Sequence, residues 1–209
     1  MKIIIFGATG SVGSKVVDTL LADGHDVTAF ARHPERLDTD SPALSRVAGD
    51  ALDAAQVSAA MAGQDAVVVA LGAGNSITSR IRSRGTLNVI RAMHDHGVRR
   101  LICQSTLGAG DSWANLDVFW KTVMFGFLLK QVHREHELQE QLVQASGLDW
   151  TIVRPAAFTD DPATGQYKTG FGPMVRGLKL KIPRADLAGF LSRQVTDLTY
   201  LHRPVAIST

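Results

Sequence analysis

Gly7, Gly10 and Gly13 are spaced for one kind of chemistry. They follow Met1-Lys2-Ile3-Ile4-Ile5-Phe6, a β-branched apolar run typical of a buried strand. They open a stretch whose apolar residues recur at Val12, Val16, Val17, Leu20 and Leu21, a helical spacing. Strand, glycine turn and helix in that order form the start of a dinucleotide-binding βαβ unit. Gly7 permits the tight exit from the strand, Gly10 lets backbone N–H groups come close to a pyrophosphate, and Gly13 lets the helix pack close on the sheet. The diphosphate then lies at the helix N-terminus, where unpaired N–H groups and the dipole favour negative charge.

The end of the second strand chooses between the two nicotinamide cofactors. An NAD-binding unit usually carries Asp or Glu there, gripping the ribose 2′-hydroxyl. Here the segment reads Phe30-Ala31-Arg32-His33-Pro34-Glu35-Arg36, and its first charged residue is Arg32. A guanidinium suits a 2′-phosphate, so NADP(H) is expected over NAD(H); the plainer reading is a solvated surface arginine. Gly49-Asp50-Ala51, after the third strand, falls where the adenine edge would lie, and Asp50 either accepts a hydrogen bond from the adenine amino group or simply ends the strand. Leu71-Gly72-Ala73-Gly74, after the fourth, is small enough for the cofactor backbone to pass closely.

Strand and helix patterns alternate around these turns. Strands are expected at 27–31, 44–48, 65–71, 100–104 and 150–153, the one at 65–71 apolar on both faces as a parallel sheet requires. Asp53 opens a helix with Gln56 three residues on, as in a capping box. Further helices are expected at about 78–96 and 115–145. The alternation predicts an α/β fold, a doubly wound parallel sheet (Rossmann fold) in one domain over 1–209. After Pro155 the glycines and prolines break the pattern into a small, irregular substrate-side lobe over 156–182, with a short strand near 178–182, then a helix at 184–194 and a strand at 205–208.

Composition narrows the class. The chain has 209 residues, 45% of them hydrophobic, which is ample for one core. A formal net charge of +2 without a run of one sign gives no reason to expect a nucleic-acid partner. Cys103, the one cysteine, precludes an internal disulfide and reads as a buried thiol in a reducing compartment. With the first strand at the N-terminus no signal peptide is expected, and the apolar stretch 118–129 contains Lys121 and is too short to span a bilayer. A cytoplasmic protein without membrane attachment is expected, either monomer or homodimer.

Gly7 to Gly13, Arg32-His33-Pro34-Glu35-Arg36-Leu37, Ser146-Gly147-Leu148-Asp149-Trp150-Thr151-Ile152-Val153-Arg154-Pro155 and Ile182-Pro183-Arg184-Ala185-Asp186-Leu187-Ala188 together resemble the atypical short-chain dehydrogenase/reductase superfamily. Within it the chain is similar to the single-domain NAD(P)-binding group that includes biliverdin-IXβ/flavin reductase and NmrA-like proteins. That resemblance implies NADP binding, with cofactor contacts from Gly7, Thr9, Gly10, Ser11 and Val12, from Arg32, Asp50 and Ala51, from Leu71, Gly72 and Ala73, and from an Arg154-Pro155 turn near the nicotinamide. It also implies an active-site role for Ser105, hydrogen bonding substrate or nicotinamide, and places His136 where the superfamily's catalytic Lys stands. The superfamily's Tyr, four residues before that Lys, falls on Val132. The chain's tyrosines, Tyr167 and Tyr200, are followed four residues on by Phe171 and Pro204, so ketone–alcohol chemistry through a Tyr/Lys pair is not expected.

Three clusters carry competing readings. His133, His136, Glu137 and Glu140 share one helix, yet lack the second His of a zinc-protease helix, so a solvated charged face is expected there and no metal site. Trp113, Phe119, Trp120, Phe125 and Phe127 are either core or interface packing, or a lid over a planar substrate. Ser11 and Ser105 lack the Gly-x-Ser-x-Gly elbow of a hydrolase nucleophile. The expected function is an NADPH-dependent oxidoreductase passing hydride to a planar acceptor such as a flavin or quinone. The rivals are a non-catalytic NADP(H) sensor and a nucleotide-sugar epimerase or dehydratase relative.

Overall fold

A computed structural model describes residues 1–74, 76 and 78–209. Its strands are β1 (Lys2–Phe6), β2 (Asp26–Ala31), β3 (Leu44–Ala48), β4 (Ala66–Val69), β5 (Arg100–Gln104), β6 (Asp149–Pro155), β7 (Ala157–Thr159), β8 (Lys168–Thr169), β9 (Lys181–Pro183) and β10 (Arg203–Ser208). The helices are α1 (Gly13–Ala22), α2 (Ala54–Met61), α3 (Ile81–His96), α4 (Lys130–Gln144) and α5 (Arg184–Arg193).

The main sheet has eight strands in the order β3-β2-β1-β4-β5-β6-β10-β8. Every pairing is parallel except β10 with β8, so the expected Rossmann sheet holds with an antiparallel edge added. Successive side chains of a strand point to opposite faces, and β1 feeds both. Ile3 and Ile5 enter one core with Val16, Val17 and Leu20 of α1 and Leu187 and Leu191 of α5. Ile4 and Phe6 enter the other with Val57 of α2, Val89 and Met93 of α3 and Val143 of α4. Each of those β1 side chains is fully buried, contributing about 1.5–3 kcal/mol. The strand order reverses between β1 and β4, and in open α/β sheets such a switch point opens the ligand crevice at the carboxyl ends of the strands.

The expected long helical region over 115–145 is instead two helices of different pitch, preceded by a short turn. A 3₁₀ turn covers Gly110–Asn115, a π-helix covers Trp120–Leu128, and α4 follows. The wide turn is visible where the Leu129 amide donates to Met124 oxygen five residues back, at 2.6 Å. A periodicity reading cannot register such a change of pitch. The tail over 156–182 also holds more order than its glycines suggest: β7 pairs with β9 in a small parallel ribbon, and β8 joins the main sheet.

Candidate cofactor and active site

The turns after β1, β2, β3, β4 and β5 converge on a cavity of about 580 Å³. Its wall includes Gly7, Thr9, Gly10, Ser11, Val12, Arg32, Asp50, Ala51, Leu71, Gly72, Ala73, Ser105 and His136, bringing together residues more than a hundred positions apart.

Its floor is fixed by two close approaches. Gly7 sits at φ +88°, and a Cβ there would lie 2.5 Å from the Ala70 carbonyl oxygen. A Cβ on Gly13 would lie 2.1 Å from Gly7 oxygen, so only glycine lets α1 begin where it does. The Gly10 amide donates to Gly7 oxygen at 2.9 Å and closes the turn at the cavity wall. Among the described residues the Ser11 and Val12 amides have no hydrogen-bond partner. α1 has no side-chain cap and no acid in its first turn, so its N-terminal charge is unopposed there.

Arg32 is exposed at the end of β2 and pairs with no carboxylate among the described residues, the neighbouring ion contact being His33 with Glu35. Asp50 uses one carboxylate oxygen to accept from the Leu52 amide at 2.9 Å, while its own amide donates to Gln56. Asp53 caps α2 by accepting from the Ala55 and Gln56 amides, and the Gln56 side chain that a capping box would turn back to the Asp53 amide reaches Asp50 instead. The cap thereby braces the turn that lines the cavity.

Two expectations need correction. Arg154 does not line the large cavity. Its Nε and Nη2 donate to Glu140 at 2.9 and 2.7 Å, and Nη1 donates to Asp111. Burial alone would lower its pKa, but the two carboxylates reverse that and raise it. Arg154 is a buried latch between β6, α4 and the loop after β5; Pro155 lines a second, smaller cavity instead. The helix face bearing His136 and Glu140 is not solvated either, because it packs against α3 and β6. Glu135, His136 and Glu140 are all buried, and each carboxylate has its own donors: Ser83 for Glu135, Arg154 and Ser105 for Glu140. His133 is wedged between Trp113 and Phe125 and bonds Gly108 oxygen at 2.9 Å.

Ser105 Oγ donates to Glu140 at 2.5 Å, so its proton points away from the cavity it lines. What it offers a ligand is a lone pair. His136 is 7% exposed, and burial, helped by Arg82 and His133, pushes its pKa down to about 3. A neutral imidazole therefore faces the cavity, its Nδ1 without a partner among the described residues. Sequence reasoning missed Arg82 and Phe158 on this wall, and Glu140 behind it. Arg82 stands in Arg80-Ile81-Arg82-Ser83-Arg84, where alternating charges read as a wet surface and nothing local marks the middle one.

The second cavity, about 240 Å³, is lined by Leu116, Trp120, Phe125, Leu129, Val132 and Leu180 among others, and shares Thr106, His136 and Phe158 with the first. Of the five clustered aromatics, Trp120 and Phe125 wall this space and Trp113 packs behind them, whereas Phe119 and Phe127 point outward.

The sequence pattern of the NAD(P)H-binding family matches residues 7–198, a span running from the first glycine of the turn to beyond α5. The chain belongs to that family. It is 31% identical, across 99% of its length and 67% of the relative's, to (4-alkanoyl-5-oxo-2,5-dihydrofuran-3-yl)methyl phosphate reductase of Streptomyces griseus. It is also 31% identical over 177 residues to an uncharacterised chloroplast protein of Arabidopsis thaliana, but spans only 61% of that protein's length. Among solved structures, the anaerobillin reductase ChuY of Escherichia coli O157:H7 superposes with a TM-score of 0.83 at 26% identity, covering 99% of this chain and 96% of that one. Reductases thus stand among the relatives of this NAD(P)H-binding protein. Among the described residues, no helix is long and apolar enough to cross a membrane.

Proposed function

We propose that this chain is an NADPH-dependent oxidoreductase that passes hydride to a planar acceptor such as a flavin or quinone. The observation that carries the reading is the apolar 240 Å³ cavity opening beside the 580 Å³ one across Thr106, His136 and Phe158. A cofactor held in the larger space presents its nicotinamide at the end near β5, and a flat acceptor has the smaller space to enter.

The residues fit a dinucleotide. The glycine floor admits close backbone approach, the Ser11 and Val12 amides and the α1 N-terminus receive the diphosphate, and exposed Arg32 receives the 2′-phosphate. The nicotinamide, when bound, supplies the hydride. The protein's work is then orientation and exclusion of water: Trp120 and Phe125 give the acceptor an apolar wall, and the Ser105 lone pair and the neutral His136 fix the geometry at the junction. No Tyr/Lys pair supplies a proton, which suits acceptors that take protons from water. The reductases among the relatives support the assignment.

Steady-state oxidation of NADPH with FMN, FAD and a series of quinones tests the proposal. Turnover with one of these acceptors is expected. Tight binding of NADPH with no turnover on any of them would point to a redox sensor and sink it.

A further inference from the structure

Arg82 belongs to the wall of the large cavity, yet two of its nitrogens have nothing to bind. Nε and Nη1 are buried without a hydrogen-bond partner among the described residues. The nearest acid, Glu135, accepts instead from the Ser83 hydroxyl at 2.7 Å and the Ser83 amide at 3.3 Å. A guanidinium stays charged even where burial lowers its pKa, as it does here. The guanidinium is half-buried and feels the Glu135 charge, but its two enclosed N–H groups carry a desolvation cost that an anionic ligand would offset. On the same wall His136 Nδ1 and the Gln104 side-chain amide oxygen also lack a partner among the described residues, and His136 lines both cavities.

Resting on the oxidoreductase reading above, we infer that Arg82 and His136 form a carboxylate-binding subsite for the acceptor, whose planar apolar body lies in the adjoining 240 Å³ cavity. The cofactor's own phosphates are a poor match for this anion site. Their cradle is at the end of β1 and Arg32 is at the end of β2, whereas Gln104, Ser105 and Thr106, which share the wall with Arg82 and His136, lie at the end of β5. In the strand order β2-β1-β4-β5 that is two strand spacings past β1, roughly 10 Å, on the side away from Arg32. One guanidinium and one neutral imidazole suit the single charge and two oxygens of a carboxylate. Phe158, Trp120 and Phe125 then cover the flat remainder.

The test uses 2-naphthoate and its uncharged amide, 2-naphthamide, titrated by calorimetry into the full-length protein, both apo and loaded with NADP⁺, with NADPH titrated separately. The expected result is naphthoate binding at least about ten-fold tighter than the amide, with the preference lost in R82M and partly kept in R82K. In R82M the affinity for NADPH should change by less than about three-fold. Equal affinity of acid and amide for the wild-type protein would overturn the subsite, and that comparison depends on no variant folding. Loss of NADPH binding in folded R82M without any acid preference in the wild type would assign Arg82 to the cofactor and overturn it too. Failure of the wild-type protein to bind NADPH at all would instead remove the oxidoreductase reading, while the apo titrations would still decide the carboxylate site.

Discussion

Single residues divide the site into a charged end and a neutral end. Arg32 is exposed and unpaired among the described residues, so its removal exposes no buried partner and reads cofactor recognition directly. Arg32→Met should raise the Kd for NADPH by about ten- to a hundred-fold, the worth of one charge-assisted hydrogen-bond set, and leave the Kd for NADH within about two-fold, as measured by fluorescence titration. His136 makes the opposite kind of statement. Its folded pKa, about 3, lies below the ordinary 6.5 because burial disfavours the imidazolium. Below the ordinary value the unfolded chain takes up a proton that the folded chain refuses. The contribution is therefore complete above about pH 6.5 and is lost as pH falls toward the folded value. Between pH 7 and pH 5 this group should remove about 2 kcal/mol of stability, and His136→Gln should flatten that part of the profile in urea unfolding. An unchanged slope in the variant would count against a buried neutral imidazole.

At the scale of elements, the site depends on how closely α1 approaches the turn after β1. The Gly13 Cα stands where any Cβ would meet the Gly7 carbonyl oxygen at 2.1 Å, and that oxygen also holds the Gly10 amide. Gly13→Ala should destabilise the protein by about 3 kcal/mol or more, since the clash is with backbone and no rotamer relieves it. In whatever folds, NADPH binding should weaken, because the same push moves the Ser11 and Val12 amides; denaturant unfolding and calorimetry on one preparation separate the two effects. α4 plays the complementary part on the other wall. It carries His136 to the cavity and Glu140 to Arg154, tying α4 to β6 through one buried ion pair, onto which Ser105 adds a hydrogen bond from the end of β5. Removing one partner of such a pair leaves an uncompensated buried charge, so Glu140→Ala should cost about 3–5 kcal/mol in urea unfolding.

Across the whole molecule, one ligand would touch the carboxyl ends of five neighbouring strands, β3 through β5 in the sheet order, and so report on the entire fold. Binding only to the folded state at a hundred times Kd adds about 2.7 kcal/mol. For a chain of this size NADPH should raise the melting temperature by roughly 5–10 °C, and NADH at equal concentration by less. Thermal melts with each cofactor check both statements, and a larger shift with NADH would reverse the Arg32 assignment.

The cofactor half of the site is legible along the chain because each of its parts is local. A strand, its glycine turn and the helix after it lie within 22 residues, and the first charge after β2 is two positions past Phe30. Period-2 and period-3.6 patterns mark those elements without any long-range information. The half beside the apolar cavity has no such signature. Arg82, His136 and Phe158 stand at the start of α3, on α4 and on β7, and they meet only through the packing of those elements around the end of β5. Glu140 reads as a surface charge until Arg154 and Ser105 are seen to satisfy it in the interior. Local sequence fixed where a phosphate can be held, since backbone amides and a turn suffice for that. Which charges are buried and paired, and which is left bare beside an apolar cavity, was decided by packing between segments far apart in the chain.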